Sequence, residues 1–79
     1  MWKLAYVEDH HQWVDVVEWS ASGTRFQSLE PKAKRDPERR NEVRSLYDQA
    51  IIDLLKDGWE PFGVKYEGSE VWFRMTVEE

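Results

Sequence analysis

Asp9-His10-His11 is the only place where imidazoles gather in this chain, and histidine beside carboxylate is the chemistry of a divalent metal site or a proton relay. Adjacent histidines on an extended chain point to opposite sides, so this pair does not chelate one ion easily. Glu8 or Asp15 could supplement one of them, but there is no i,i+4 histidine pair and no HExxH. The spacing favours a solvated turn, and no metal ligand and no cofactor are expected. The carboxylate pairs Glu38/Glu42 and Asp53/Asp57 stand four apart, as an acid–base pair on a helix could. They fall off the apolar stripe and face water, where nothing drives their pKa values apart. Ser20 and Ser22 lie near Gly23 without a Gly-x-Ser-x-Gly elbow or a base at fixed spacing, and no glycine-rich phosphate loop occurs. The absence of cysteine excludes thiolate nucleophiles and disulfides. An enzyme is not expected.

Two further groups of residues could bind rather than react. Residues 32–44 carry Lys32, Lys34, Arg35, Arg39, Arg40 and Arg44 against Asp36, Glu38 and Glu42, a local +3 within a total of −5. The remainder then holds −8, which opposes a chain-wide attraction to nucleic acid or anionic lipid. Arg35, Arg39, Arg40 and Arg44 are the candidates for a local phosphate-binding patch, although the interleaved acids favour an ordinary charged surface. The aromatic residues are the stronger clue. Five tryptophans, three tyrosines and three phenylalanines among 79 residues exceed what one thin core must hold. The core claims Trp59 and can also take Trp2. Trp13, Trp19 and Trp72, with Arg74, are the candidates for a surface that meets a partner.

The elements that must position these residues follow from periodicity. Trp2 to Glu8 alternates, with Trp2, Leu4 and Tyr6 on one side and Ala5 and Val7 on the other. Gln12 to Ser20 reads as a second strand, Trp13, Val17 and Trp19 opposing Val14 and Val16. After the turn at Gly23, residues 24–29 can form a short third strand with Phe26 inward. Asp36 suits a helix N-cap and Pro37 the first helical position. Val43, Leu46, Tyr47, Ala50, Ile51, Leu54 and Leu55 then make one apolar stripe ending at Gly58, which suits a left-handed C-cap. Pro37 to Glu42 has no apolar residue, so the helix start should overhang the sheet and present Arg39, Arg40 and Arg44. Phe62, Val64 and Tyr66 share a strand face, Gly68-Ser69 turns the chain, and Val71, Phe73, Met75 and Val77 form the last stripe. Pro61 belongs at an edge or bulge.

The expected fold is a single α+β domain over 1–79. Its antiparallel sheet has four strands, or five if residues 24–29 join, in the order β-β-(β)-α-β-β, with one long helix packed on one face. One helix cannot cover both faces, so the other should show an apolar patch. Charges throughout the chain argue against a signal peptide or a spanning helix, and a cytoplasmic protein is expected.

The leucine-rich helix end, Gly58-Trp59-Glu60, a strand, a turn and Val71-Trp72-Phe73-Arg74 resemble the domain-of-unknown-function 4177 family of small bacterial strand-helix-hairpin domains. The resemblance covers residues 46–76 and, loosely, the first strand. Segment 9–35 departs from it, as does Met75, where those domains often place a base. It implies a fold and a prokaryotic origin and carries no activity. The expected function is a non-catalytic protein-interaction or self-association module using the aromatic sheet face. The partner would be a second copy, in a dimer or higher oligomer, or another protein, with no membrane. The alternative is a nucleic-acid-associated protein using 32–44, and a third reading is a small ligand held between the aromatic faces of two protomers.

Overall fold

Periodicity of two gives way to periodicity of 3.6 and back again, and the computed structural model, which describes residues 2–77, follows that alternation. Strands β1 (Trp2–Asp9), β2 (Val14–Ser20) and β3 (Gly23–Leu29) precede helix α1 (Glu38–Lys56), and β4 (Glu60–Lys65) and β5 (Glu70–Thr76) follow it. All pair antiparallel in one five-stranded sheet of order β3-β2-β1-β5-β4. The chain therefore crosses from one sheet edge to the other through α1, which packs on one face. Residues 24–29 do form the fifth strand.

The core lies between helix and sheet. Val43, Tyr47, Ala50 and Leu54 of α1 meet Ala5, Val7, Val14 and Phe73, and Trp59 closes one end. The stripe is narrower than its sequence suggests, since Leu55 is 47% exposed. It sits about 100° around the helix from Leu54 and cannot reach the same face. Gly58 ends the helix at φ +93°, where Trp59 N donates to Leu54 O at 3.0 Å and Gly58 N to Leu55 O at 3.1 Å. These two bonds are a Schellman cap, with Trp59 packing back beside Leu54. Gly58→Ala should cost about 1–2 kcal/mol through the left-handed backbone alone. Space is not the obstacle, because a β-carbon there would meet only Met75 Cε at 4.0 Å. The urea midpoint measures the loss.

The helix start differs from the expectation. Asp36 makes no cap; α1 begins after Pro37 without a side-chain cap. Arg39 N instead donates to Arg35 O at 2.9 Å, and the Glu42 carboxylate turns back to accept the amides of Lys32 and Ala33. Nor does the helix overhang. Its first turn lies against the β1–β2 turn, where Arg39 bonds Gln12. Phe26 is not inward either: β3 is an edge strand, and Phe26 sits opposite Val17 on the side α1 leaves bare. Pro61 lies at a bulge in edge strand β4, and the register shift between Pro61 and Gly63 separates Phe62 from the face of Val64. Tyr66 falls outside the strand in a 3-10 turn.

Tyr47 fastens the helix to that turn, donating its hydroxyl to Gly68 O at 2.6 Å. Burial foremost, then the charges of Asp9 and Asp48, hold its pKa above the ordinary tyrosine value, against a smaller opposing pull from Arg44. The unfolded chain thus ionises first. Stability from Tyr47 is complete below about pH 10 and is lost as pH rises through the folded-state value. Tyr47→Phe should cost about 1 kcal/mol at neutral pH and flatten the alkaline limb of the stability curve, as read by urea unfolding at several pH values.

Candidate binding face

Directly paired residues of neighbouring strands share a face, so the register sorts the side chains opposite α1 into rows that cross the sheet. One row runs Thr24, Trp19, Leu4, Arg74, Glu60; the next runs Phe26, Val17, Tyr6, Trp72, Gly63. A third runs Ser28, Asp15, Glu8, Glu70, Lys65. The middle row is therefore largely apolar and aromatic, the first is mixed and carries the Arg74–Glu60 ion pair, and the third is largely acidic.

The aromatic rings form a connected layer. Trp19 and Trp72 stack with planes 4° apart and centroids at 5.6 Å, and Tyr6 lies 5.6 Å from Trp19 and 4.9 Å from Trp72. The Arg74 guanidinium sits 5.1 Å over Trp2 and 5.5 Å over Phe62, and Lys65 Nζ lies 5.2 Å over Trp72. Around this centre Phe26 is 64% exposed, Trp2 54% and Phe62 47%. Trp2 is therefore surface and not core: its strand side is the one the helix does not cover. A contiguous apolar patch of this kind on a small domain marks an interaction surface more often than chance.

The acidic row is held by indoles and a hydroxyl. Trp72 Nε1 donates to Glu70 Oε2 at 3.0 Å; Trp13 Nε1 and Ser28 Oγ both donate to Asp15 Oδ1, at 3.0 and 2.8 Å. His10 stacks on Trp13 with centroids 4.7 Å apart, placing its Nε2 3.0 Å from Glu8 Oε1 and 2.8 Å from Asp15 Oδ2. Burial first, then the carboxylates of Glu8, Asp15 and Glu70, raise the Tyr6 pKa, so its hydroxyl stays neutral beside them. In the expected turn His11 is exposed, while His10 is half-buried with its Nε2 shielded from solvent. Asp9 Oδ1 accepts the His11 amide at 2.7 Å, and with His11 at φ +69° the tight turn folds His10 back over the acids.

Of the residues singled out from sequence, Trp19, Trp72 and Arg74 come together, while Trp13 sits apart at the acidic end. Tyr6, Phe26 and Phe62 complete the layer. The alternation of Trp2, Leu4 and Tyr6 already placed Tyr6 on one side with Trp2; nothing in the sequence marks Phe62, whose orientation depends on the bulge. The basic candidates part company. Arg39 is consumed structurally: Nε and one terminal nitrogen bond Gln12 Oε1 and O at 2.9 and 3.0 Å, and the other bonds Ala33 O at 3.0 Å. Arg40 and Arg44 on α1, and Arg35 before it, are exposed. They belong to the helix side, with the sheet between them and the aromatic layer.

Among the described residues no helix is long and apolar enough to cross a membrane. No family model, no curated protein and no solved structure matches this chain.

Proposed function

We propose that the protein is a non-catalytic self-association module whose aromatic sheet face packs on the same face of a second copy. The observation that carries this is the ring cluster of Tyr6, Trp19 and Trp72 on the face that α1 leaves bare, with Trp2 and Phe62 joined to it under Arg74 and Phe26 exposed on the same side. Area supports it. Five strands about 4.8 Å apart and about 3.3 Å per residue over seven residues give a face of roughly 24 by 23 Å. Two such faces bury on the order of 1,100 Å², at the threshold of roughly 1,000 Å² for a specific interface.

Charge supports one arrangement in particular. The Arg74 row and the acidic row flank the Phe26–Tyr6–Trp72 row on opposite sides. A two-fold axis along the middle row that reverses the strands lays each Glu70 over the other copy's Arg74 and each Lys65 over its Glu60, and stacks aromatic on aromatic. A second copy is thus complementary to this face, whereas a phosphate backbone would meet Glu8, Asp15 and Glu70. The basic candidates Arg35, Arg40 and Arg44 also lie on the helix side, so that Arg74 and Lys65 are the cations placed over rings, fewer than a single-stranded nucleic-acid groove combines with its stacking platform.

Dilution tests the reading. Tryptophan emission should shift to the red as the protein is diluted from millimolar to nanomolar, with far-UV circular dichroism unchanged, because interface indoles become wet while the fold persists. Emission independent of concentration over that range would oppose it.

A further inference from the structure

We propose that Glu8, His10 and Asp15 form a divalent transition-metal site at the β1–β2 turn. One imidazole nitrogen and two carboxylate oxygens, from positions well separated on the hairpin, converge within 4.8 Å of one another. Strand pairing places Glu8 directly opposite Asp15, and the turn brings His10 between them.

The direction of the contacts distinguishes a metal site from an ordinary imidazolium bridge. His10 Nε2 is shielded from solvent, yet has no hydrogen-bond partner, although the two oxygens stand only 3.0 and 2.8 Å away. Neither oxygen lies along the ring N–H. An ion about 2.1 Å out on that axis, with two oxygens cis to the nitrogen at the same radius, puts each oxygen about 3.0 Å from Nε2 and about 45° off the axis. Tetrahedral angles would spread the ligand atoms to about 3.4 Å, so the two nitrogen–oxygen spacings match cis positions of an octahedron better.

Outer contacts fix the ligands as metal sites require. Asp15 is only 9% exposed, and its Oδ1 accepts from both Trp13 and Ser28, which leaves Oδ2 turned to His10. Stacking on Trp13 sets the imidazole plane. Charge points the same way. Glu70 stands beside Glu8 in the row, and the Lys65 ammonium lies over Trp72. With a neutral imidazole the cluster offers two negative charges, matched by a divalent ion. The donor set, imidazole plus oxygen, suits manganese, iron, cobalt, nickel or zinc better than calcium or magnesium.

Titration of the full chain with cobalt(II) or nickel(II) chloride tests the site, with tryptophan fluorescence and visible absorption as readouts. One ion per chain should bind, quench the indole stacked on His10, and give the weak absorption of six-coordinate cobalt. His10→Ala should weaken binding about 100-fold, while His11→Ala, one residue along, should leave it unchanged. Glu8→Gln, at a half-buried position, gives a second variant that keeps the turn and should weaken binding as well. Absence of saturable binding at millimolar metal, equal affinity in His10→Ala, or equal losses in His10→Ala and His11→Ala would each overturn the proposal.

Discussion

Trp72→Glu should yield a chain that folds but no longer associates. Trp72 lies in the middle row, stacked on Trp19 and packed against Tyr6, and its indole N–H engages Glu70. In the proposed two-fold arrangement that row sits on the axis, so a glutamate there faces its own copy across a dry interface. Two like charges then lose water together, and the Glu70 of each copy lies next to them. A weakening of at least about 100-fold is expected, which converts a micromolar dimer into a monomer at ordinary concentrations. The fold should survive because Phe73, Val71 and the helix stripe lie on the other side of the sheet. Phe26→Glu separates the two effects. Phe26 is the more exposed ring, at 64%, so its replacement should also weaken association with almost no change in monomer stability. If both variants sediment as the parent does, this face is not the contact.

Phe73→Ala should have the largest effect on the fold. Phe73 is fully buried, faces the cross-strand neighbours Ala5 and Pro61, and is the largest of the wholly enclosed side chains. Neither neighbour can expand into the vacated volume, since Ala5 has no further atoms and Pro61 is rigid. Emptying a phenylalanine site of this kind costs about 3–5 kcal/mol. A single small core seldom supplies more than about 3–5 kcal/mol, so the substitution should leave the isolated chain largely unfolded near room temperature. Where association rescues it by mass action, the thermal midpoint should still fall by roughly 12–40 °C and become strongly dependent on protein concentration. Leu55→Ala, on the same helix but 47% exposed, should cost well under about 1 kcal/mol. Similar melting of the two variants would mean that the core is misplaced.

Much of this fold was legible in the chain because it is carried by periodicity. Ala5 and Val7 against Leu4 and Tyr6, and Val14 and Val16 against Val17 and Trp19, sort each strand into two sides, while which side meets the helix is read only from the packing of α1. Gly58 states where the helix must end. A single helix in so short a chain implies a bare face, and the tryptophans imply what covers it with rings. The site was only partly legible, for geometric reasons. Phe62 points beside Arg74 only because the bulge at Pro61/Gly63 adds a residue. Arg39 looks like its neighbours in sequence, but the reach of the β1–β2 turn makes Gln12 its partner. Glu8, His10 and Asp15 meet because the strand register sets Glu8 against Asp15, and because a left-handed residue at His11 reverses the chain. Residue spacing alone encodes neither.

Sedimentation equilibrium of the unaltered chain, from micromolar to millimolar concentration, tests the self-association of the aromatic face most directly. The expected result is a weight-average mass that rises from 9.5 kDa toward twice that value and fits a monomer–dimer equilibrium. A mass that stays at 9.5 kDa up to millimolar concentration would contradict it.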